Sequence, residues 1–453
     1  MKVGIEYSQD HRLILPKILC DCNMPHYDPE IDIYIGSGII DRCSAYIRQR
    51  DYGTHALLIA DPNTYAVAGR QVEQLLRDDG FQVKLCRLER QVLLEPDQTA
   101  LGEILLHLDR SIEFLVAVGS GVVTDLTRFV AHQTGRPFVS VATAASMDGY
   151  VSVVAPLIHN GLKVNKPAGY PRTLLCDLEI IRQAPYAMTL AGFGDVIGKY
   201  IAVADWVLSR IINQEDYCPV CVDLVLQAVA KSIASDEAIR SQTSAGIQSL
   251  LEALILAGLT ILVIGNTRPV ASIEHNMAHY WEMMKLQRRE TPPSHGAAVG
   301  VATGYALQCY EKFWQTDFNS LNVAQILRNR PSRSDVEREV VAKYGPDLGP
   351  AIIRDNPDLY LEGAEQERRI ETFLRNQAAI RQQLAFLPSW EQLRSVYRSI
   401  GAPVDAAEIG IDRELLQNAL LYAKDYRKRY SVFTLANELG ILPELAAQVM
   451  AGR

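Results

Sequence analysis

Val116-Ala117-Val118-Gly119-Ser120-Gly121-Val122-Val123-Thr124-Asp125, continued through an apolar helical stretch to Pro137-Phe138-Val139-Ser140-Val141-Ala142-Thr143-Ala144-Ala145-Ser146-Met147-Asp148-Gly149, decides the fold class. An apolar run of strand length ends in two glycines. A helix-like stretch follows, and a second apolar run ends in a turn of small, hydroxyl and acidic residues. Glycines between a strand and a helix let backbone N–H groups approach a phosphate, at the helix end whose dipole favours an anion. The stretch therefore predicts two neighbouring strands, a dinucleotide pyrophosphate at the first turn and chemistry at the second. Gly119-Ser120-Gly121 with Asp125 four residues on is an incomplete G-x-G-x-x-G, so a plain strand-to-helix turn stays open.

The same alternation extends on both sides. His55 to Ala60 is a short apolar strand closed by the turn signal Asp61-Pro62-Asn63-Thr64. A helix is expected over 67–78, a strand over 82–88, a helix over 99–109, and strands over 114–118, 137–142 and 174–177. This rhythm predicts a parallel α/β sheet with right-handed crossovers. After Pro185 strand signals become scarce. Helices are expected over 189–208, 224–234, 247–264, 273–285, 297–313 and 370–384. Pro331 breaks a helix, and the tail from Asp347 on is helical and charged. The expected organisation is an α/β nucleotide-binding domain over 1–187 and an all-α domain over 188–453.

Composition narrows the function class. The 453 residues are 48% hydrophobic and 22% charged with net charge −8, a globular balance without the basic footprint of a nucleic-acid binder. Met1 to Glu6 lacks the apolar region of a signal peptide. Leu250 to Gly265 carries Glu252 and is short for a membrane span, so it reads as a buried helix of a soluble cytoplasmic protein. Eight scattered cysteines read as reduced thiols.

Three of the nine histidines fall between 275 and 295. His275 and His279, at i and i+4, share one face of a predicted helix, and His295 opens the next. Helix packing would explain them as well. The carboxylate that could complete a site is Asp195, in Gly192-Phe193-Gly194-Asp195, which reads equally as an N-terminal cap at the start of an apolar helix. One carboxylate, two imidazoles and an open position make the ligand set of a catalytic divalent metal. Asp61 ends the first strand of the cofactor domain, where a carboxylate would bond ribose hydroxyls and repel a 2′-phosphate. That favours NAD(H) over its phosphorylated form, with a turn-forming Asp before Pro62 as the alternative.

Taken together, Gly119-Ser120-Gly121 with Asp125, Ser146-Met147-Asp148-Gly149-Tyr150, Ala191-Gly192-Phe193-Gly194-Asp195-Val196-Ile197-Gly198-Lys199-Tyr200 with Asp205-Trp206, and Ser272-Ile273-Glu274-His275-Asn276-Met277-Ala278-His279 resemble the sn-glycerol-1-phosphate dehydrogenases. The likeness is greatest to their bacterial, nickel-dependent branch, in the iron-containing alcohol dehydrogenase and dehydroquinate synthase-like superfamily. The resemblance implies a two-domain fold and reversible, NAD(H)- and metal-dependent reduction of dihydroxyacetone phosphate to sn-glycerol 1-phosphate. It implies Asp195, His275 and His295 as ligands of one divalent metal, nickel or zinc before iron. Asp148, His279 and Asp195 would touch the substrate, with His279 relaying a proton. Asp61, Gly119, Ser120, Gly121, Val122, Val123, Thr143 to Ser146 and Ser152 would contact the cofactor. Lys163, with Lys166, is the candidate for the substrate phosphate. A homo-oligomer is expected. Glycerol or another polyol dehydrogenase of the same superfamily, or a non-catalytic NAD-binding relative, are the alternatives.

Overall fold

The computed structural model describes residues 5–15, 20–90, 93–159 and 162–451. Met1 to Gly4, within the N-terminal stretch read above, lie outside the described residues. Among the described residues there are ten strands: β1 (Glu6–Tyr7), β2 (Leu13–Ile14), β3 (Asp32–Gly36), β4 (His55–Ala60), β5 (Gln82–Arg87), β6 (Phe114–Gly119), β7 (Phe138–Ala142), β8 (Val154–His159), β9 (Leu162–Pro167) and β10 (Thr173–Asp177). Six of them form one sheet in the order β3-β10-β7-β6-β4-β5, parallel at every pairing. β1 and β2, and β8 and β9, form antiparallel pairs.

The apolar runs become sheet because both faces are covered. Every residue of β6, β7 and β10 is buried, as a parallel sheet packed on two sides requires. Alternate residues feed two cores. Leu58, Val116, Val118, Val139 and Val141 enter one, and Leu57, Ile59, Leu115 and Ala117 enter the other with Leu126 and Val130. The second core sits under α1 (Gly121–Thr134), which starts within the glycine turn and stops at Gly135, a residue with φ 66°.

Five more helices matter for the site: α2 (Tyr186–Asn213), α3 (Pro219–Ala234), α4 (Ser244–Ile264), α5 (Ile273–Gln287) and α6 (His295–Phe313). The chain forms two compact units that interleave in sequence. The first comprises residues 1–20, 25–196 and 223–267; the second comprises 21–24, 197–222 and 268–453. All ten strands belong to the first unit, which also includes most of α3 and all of α4. The second unit is helical among the described residues. In α4 the most apolar window is 94% buried inside the protein, as the reading of Leu250 to Gly265 as a buried helix expects.

Besides the short β1–β2 pair, β3 and the β8–β9 pair escape the sequence rhythm. β3 is a short Asp-Ile-Tyr-Ile-Gly strand on the sheet edge, and β8–β9 is a hairpin that carries Lys163 and Lys166.

Candidate active site

In the first unit the cofactor candidates meet at one edge. β4 pairs with β5 on one side and β6 on the other, so strand order reverses there. Open α/β sheets bind ligands beyond the carboxyl ends of strands at such a reversal. Asp61 follows β4, Gly119 ends β6, and Thr143 follows β7. Gly119 pairs with Ala142, and Thr143 N donates to Gly119 O at 3.2 Å. Ser120 Oγ and Ser146 Oγ lie 2.5 Å apart, so a hydroxyl bond ties the glycine turn to the Ser-Met-Asp-Gly turn. A Cβ on Gly119 would stand 2.6 Å from Val123 Cβ, which explains the glycine. The N–H groups of Gly121, Val122 and Val123 belong to the first turn of α1, where no helical carbonyl precedes them. N–H groups so placed can donate to a phosphate.

Asp61 has a local task as well. Its Oδ1 accepts from Thr64 N at 2.8 Å, and Thr64 Oγ1 accepts from Asp61 N at 3.0 Å, a capping box on the Pro62 turn. Ser152 is buried, and its Oγ accepts from Val154 N at 3.1 Å at the entry to β8.

The Asp148 turn is clamped by backbone. A Cβ on Gly192 of α2 would lie 2.0 Å from Ala145 O, and one on Gly258 of α4 would lie 2.6 Å from Asp148 O. Two glycines therefore let two helices touch the turn directly. Asp195 follows on α2 and accepts from Asp148 N through Oδ2 at 2.9 Å. Asp195 was expected at the start of a helix; the helix begins nine residues earlier, at Tyr186, and Asp195 is 1% exposed. It is an interior carboxylate, not a cap, and such a group needs partners.

Arg128 of α1 completes the clamp. Fully buried, it donates to Val154 O at 2.9 Å, to Tyr150 O at 3.2 Å and to Gly149 O, and it pairs with Asp125 at 3.3 Å. Burial pushes the Asp125 carboxyl up to about 7, against the opposing pull of Arg128 and Lys163. Lys163 is thus placed near Asp125, while Lys166 is exposed on the same strand.

In the second unit α5 and α6 bring three imidazoles together. Ring centroids lie 5.3 Å apart for His275 and His295, 5.1 Å for His279 and His295, and 6.3 Å for His275 and His279. Each Nδ1 has a carboxylate. Glu274 Oε1 is 2.7 Å from His275 Nδ1; Glu282 Oε1 is 2.8 Å from His295 Nδ1; Glu282 Oε2 is 3.1 Å from His279 Nδ1. Imidazoles held by a carboxylate at Nδ1 present the Nε2 lone pair, which is how metal-binding histidines are oriented. The donor set fits a divalent ion on that ground.

Behind these rings Asp205 of α2 fixes the start of α5. Its Oδ2 accepts from Ile273 N at 3.3 Å; its Oδ1 accepts from Tyr310 Oη at 2.6 Å and Val432 N at 2.9 Å. Burial pushes Asp205 up to about 6. Arg268 reaches the Asp205 carbonyl at 3.1 Å and the Tyr430 carbonyl at 3.3 Å. The ring of Tyr426 stands 5.6 Å from that of His279. Sequence reasoning gave no role to Glu282, Arg128 or Tyr426. For the first two a signal was present: His279 and Glu282, like Asp125 and Arg128, stand three residues apart on one helix.

Comparison with known proteins gives the family. The iron-containing alcohol dehydrogenase family matches residues 34–185. The NAD(P)+ glycerol-1-phosphate dehydrogenase of Bacillus licheniformis is 32% identical over 429 residues, 94% of each chain. That of Halalkalibacterium halodurans is 37% identical over 287 residues, covering 63% of this chain and 72% of the relative. The archaeal one of Aeropyrum pernix is 30% identical over 312 residues, covering 68% and 82%. In fold, a probable glycerol dehydrogenase from Sinorhizobium meliloti 1021 superposes with a TM-score of 0.61 over 94% of this chain and 99% of its own, at 15% identity. The chain belongs to the glycerol-1-phosphate dehydrogenase family of iron-containing alcohol dehydrogenase-like oxidoreductases.

Proposed function

We propose that this protein catalyses the reversible NAD(H)-dependent reduction of dihydroxyacetone phosphate to sn-glycerol 1-phosphate, with Asp195, His275 and His295 holding one divalent metal, nickel or zinc. The observation that carries the reading is the set of imidazoles anchored at Nδ1 by buried carboxylates, in a chain whose relatives bear that activity in their names. When bound, the metal supplies Lewis-acid polarisation of the substrate C2 oxygen, and the nicotinamide supplies the hydride. The protein supplies placement and proton handling. N–H groups at the start of α1, with Ser120, Thr143 and Ser146, hold the pyrophosphate. Asp61 has one carboxylate oxygen in its cap and offers the other to the ribose, which selects NAD(H). Ser152 lines the cofactor through the turn it closes.

His279 offers Nε2 to the forming hydroxyl and moves the proton there. Asp148, held through its backbone by Asp195, accepts a hydrogen bond from the terminal substrate hydroxyl and so fixes which face is attacked. Lys163, rather than the exposed Lys166, binds the substrate phosphate. We place the protein in the cytoplasm as a homo-oligomer, its most apolar helix being consumed by its own core.

The test is NADH oxidation with dihydroxyacetone phosphate beside unphosphorylated dihydroxyacetone, with added Ni2+ or Zn2+ and with EDTA. Metal-dependent turnover that favours the phosphate is the expected result. A preference for the free ketone would move the protein to glycerol dehydrogenase chemistry, and no turnover with either would leave a cofactor-binding relative.

A further inference from the structure

We infer that Glu282 is a positioning residue that locks the imidazoles of His279 and His295 into the same tautomer, so that one carboxylate serves both metal holding and proton handling. The inference rests on the proposed metal role of His295. Glu282 is 4% exposed, and its two oxygens are divided between two rings: Oε1 to His295 Nδ1 at 2.8 Å and Oε2 to His279 Nδ1 at 3.1 Å. The rings stack, 5.1 Å apart and 19° from parallel.

An ionised carboxylate only accepts hydrogen bonds, so both Nδ1 atoms must be donors, and in the neutral rings both Nε2 atoms then carry lone pairs. The two roles proposed for these rings need that form. A metal ligand donates the Nε2 lone pair, and a proton acceptor receives at Nε2. His275 has a carboxylate of its own in Glu274. The three rings are therefore oriented by two acids, one private and one shared. Geometry explains the sharing. Glu282 stands three residues after His279 on α5, and α6 returns with His295 as its first residue.

Glutamine is the informative replacement at 282. It keeps the volume, but offers one acceptor oxygen and one donor NH2. The oxygen satisfies one Nδ1–H. The NH2 forces the other ring to accept at Nδ1 and to carry its proton on Nε2, where it can neither bind a metal nor take up a proton. One of two losses is expected for Glu282→Gln. Either the metal Kd of the apoprotein, measured by competition with a chromogenic chelator, weakens about ten- to a hundredfold, or kcat at saturating metal falls by a similar factor with KM little changed. Glu282→Asp, which keeps two acceptors, should recover part of the loss relative to Glu282→Gln.

Wild-type metal affinity and wild-type turnover in Glu282→Gln would overturn the inference. His295→Ala separates it from the reading beneath: unchanged metal affinity in His295→Ala would defeat the metal assignment itself. If Glu282→Gln does not fold, long-range 15N–1H spectra of the histidine-labelled wild-type protein decide instead. Protons on Nδ1 of His279 and His295 support the inference, and a proton on Nε2 alone at either ring overturns it.

Discussion

The sheet edge of the first unit and the histidine cluster of the second fix their groups by opposite means. At the sheet edge position comes from missing side chains. Gly119, Gly192 and Gly258 admit Val123, the Ala145 carbonyl and the Asp148 carbonyl where a Cβ would collide. In the histidine cluster position comes from added acceptors, Glu274 and Glu282, that hold rings by their nitrogens. The contrast teaches that the two regions fail differently. The first is broken by adding a methyl group, the second by removing an oxygen.

The largest effect is expected where a proposed ligand is lost. His275→Ala should purify with little metal and lose roughly a thousandfold in kcat/KM, about 4 kcal/mol, while its melting temperature in EDTA stays near that of the wild type. Full metal content measured by plasma emission would remove His275 from the site.

A smaller effect, and of the opposite kind, is expected at the sheet edge. Gly192→Ala places a methyl group on a backbone oxygen and should cost about 1–3 kcal/mol in denaturant unfolding. Gly121→Ala would meet only the Met147 side chain, with Sδ at 3.3 Å, a flexible neighbour that can give way. It should leave stability almost intact and raise KM for NADH. Equal destabilisation by the two would mean that the Ala145 contact is not what sets the Asp148 turn.

The smallest effect is in pH dependence. Burial raises the Asp125 carboxyl to about 7, above its unfolded value. The folded protein therefore holds a proton that the unfolded chain releases near pH 4. Stability contributed at this position is complete below about pH 4 and declines as pH rises through about 7. Asp125→Asn cannot titrate, so its melting temperature should fall less than that of the wild type between pH 4 and pH 7. Parallel curves would show that Arg128 keeps Asp125 ionised throughout.

Legibility in the sequence followed the same divide. β4, β6, β7 and β10 were readable because buried parallel strands are unbroken apolar runs closed by turn residues. β3 was not, since Asp32 and Gly36 leave only three apolar residues between them. Asp195 was legible as a candidate and misplaced in its helix. Gly192 and Gly194 lower helix propensity and so mimic a helix start; the Ala145 carbonyl that makes Gly192 necessary lies far away in sequence. Glu282 was only partly legible, for a related reason. Its spacing from His279 is visible, but the sharing with His295 depends on how α6 returns to α5.

The backbone N–H of Val432 and the carbonyl of Tyr430 are bound to Asp205 and Arg268, which frame the start of the helix that carries His275 and His279. During synthesis those two histidines leave the ribosome long before Val432 does. The hydrogen bonds that seat their helix are complete only once Tyr430 and Val432, far downstream in the sequence, have been made. An ion captured by the growing chain before that point would meet histidines whose support is still unwritten.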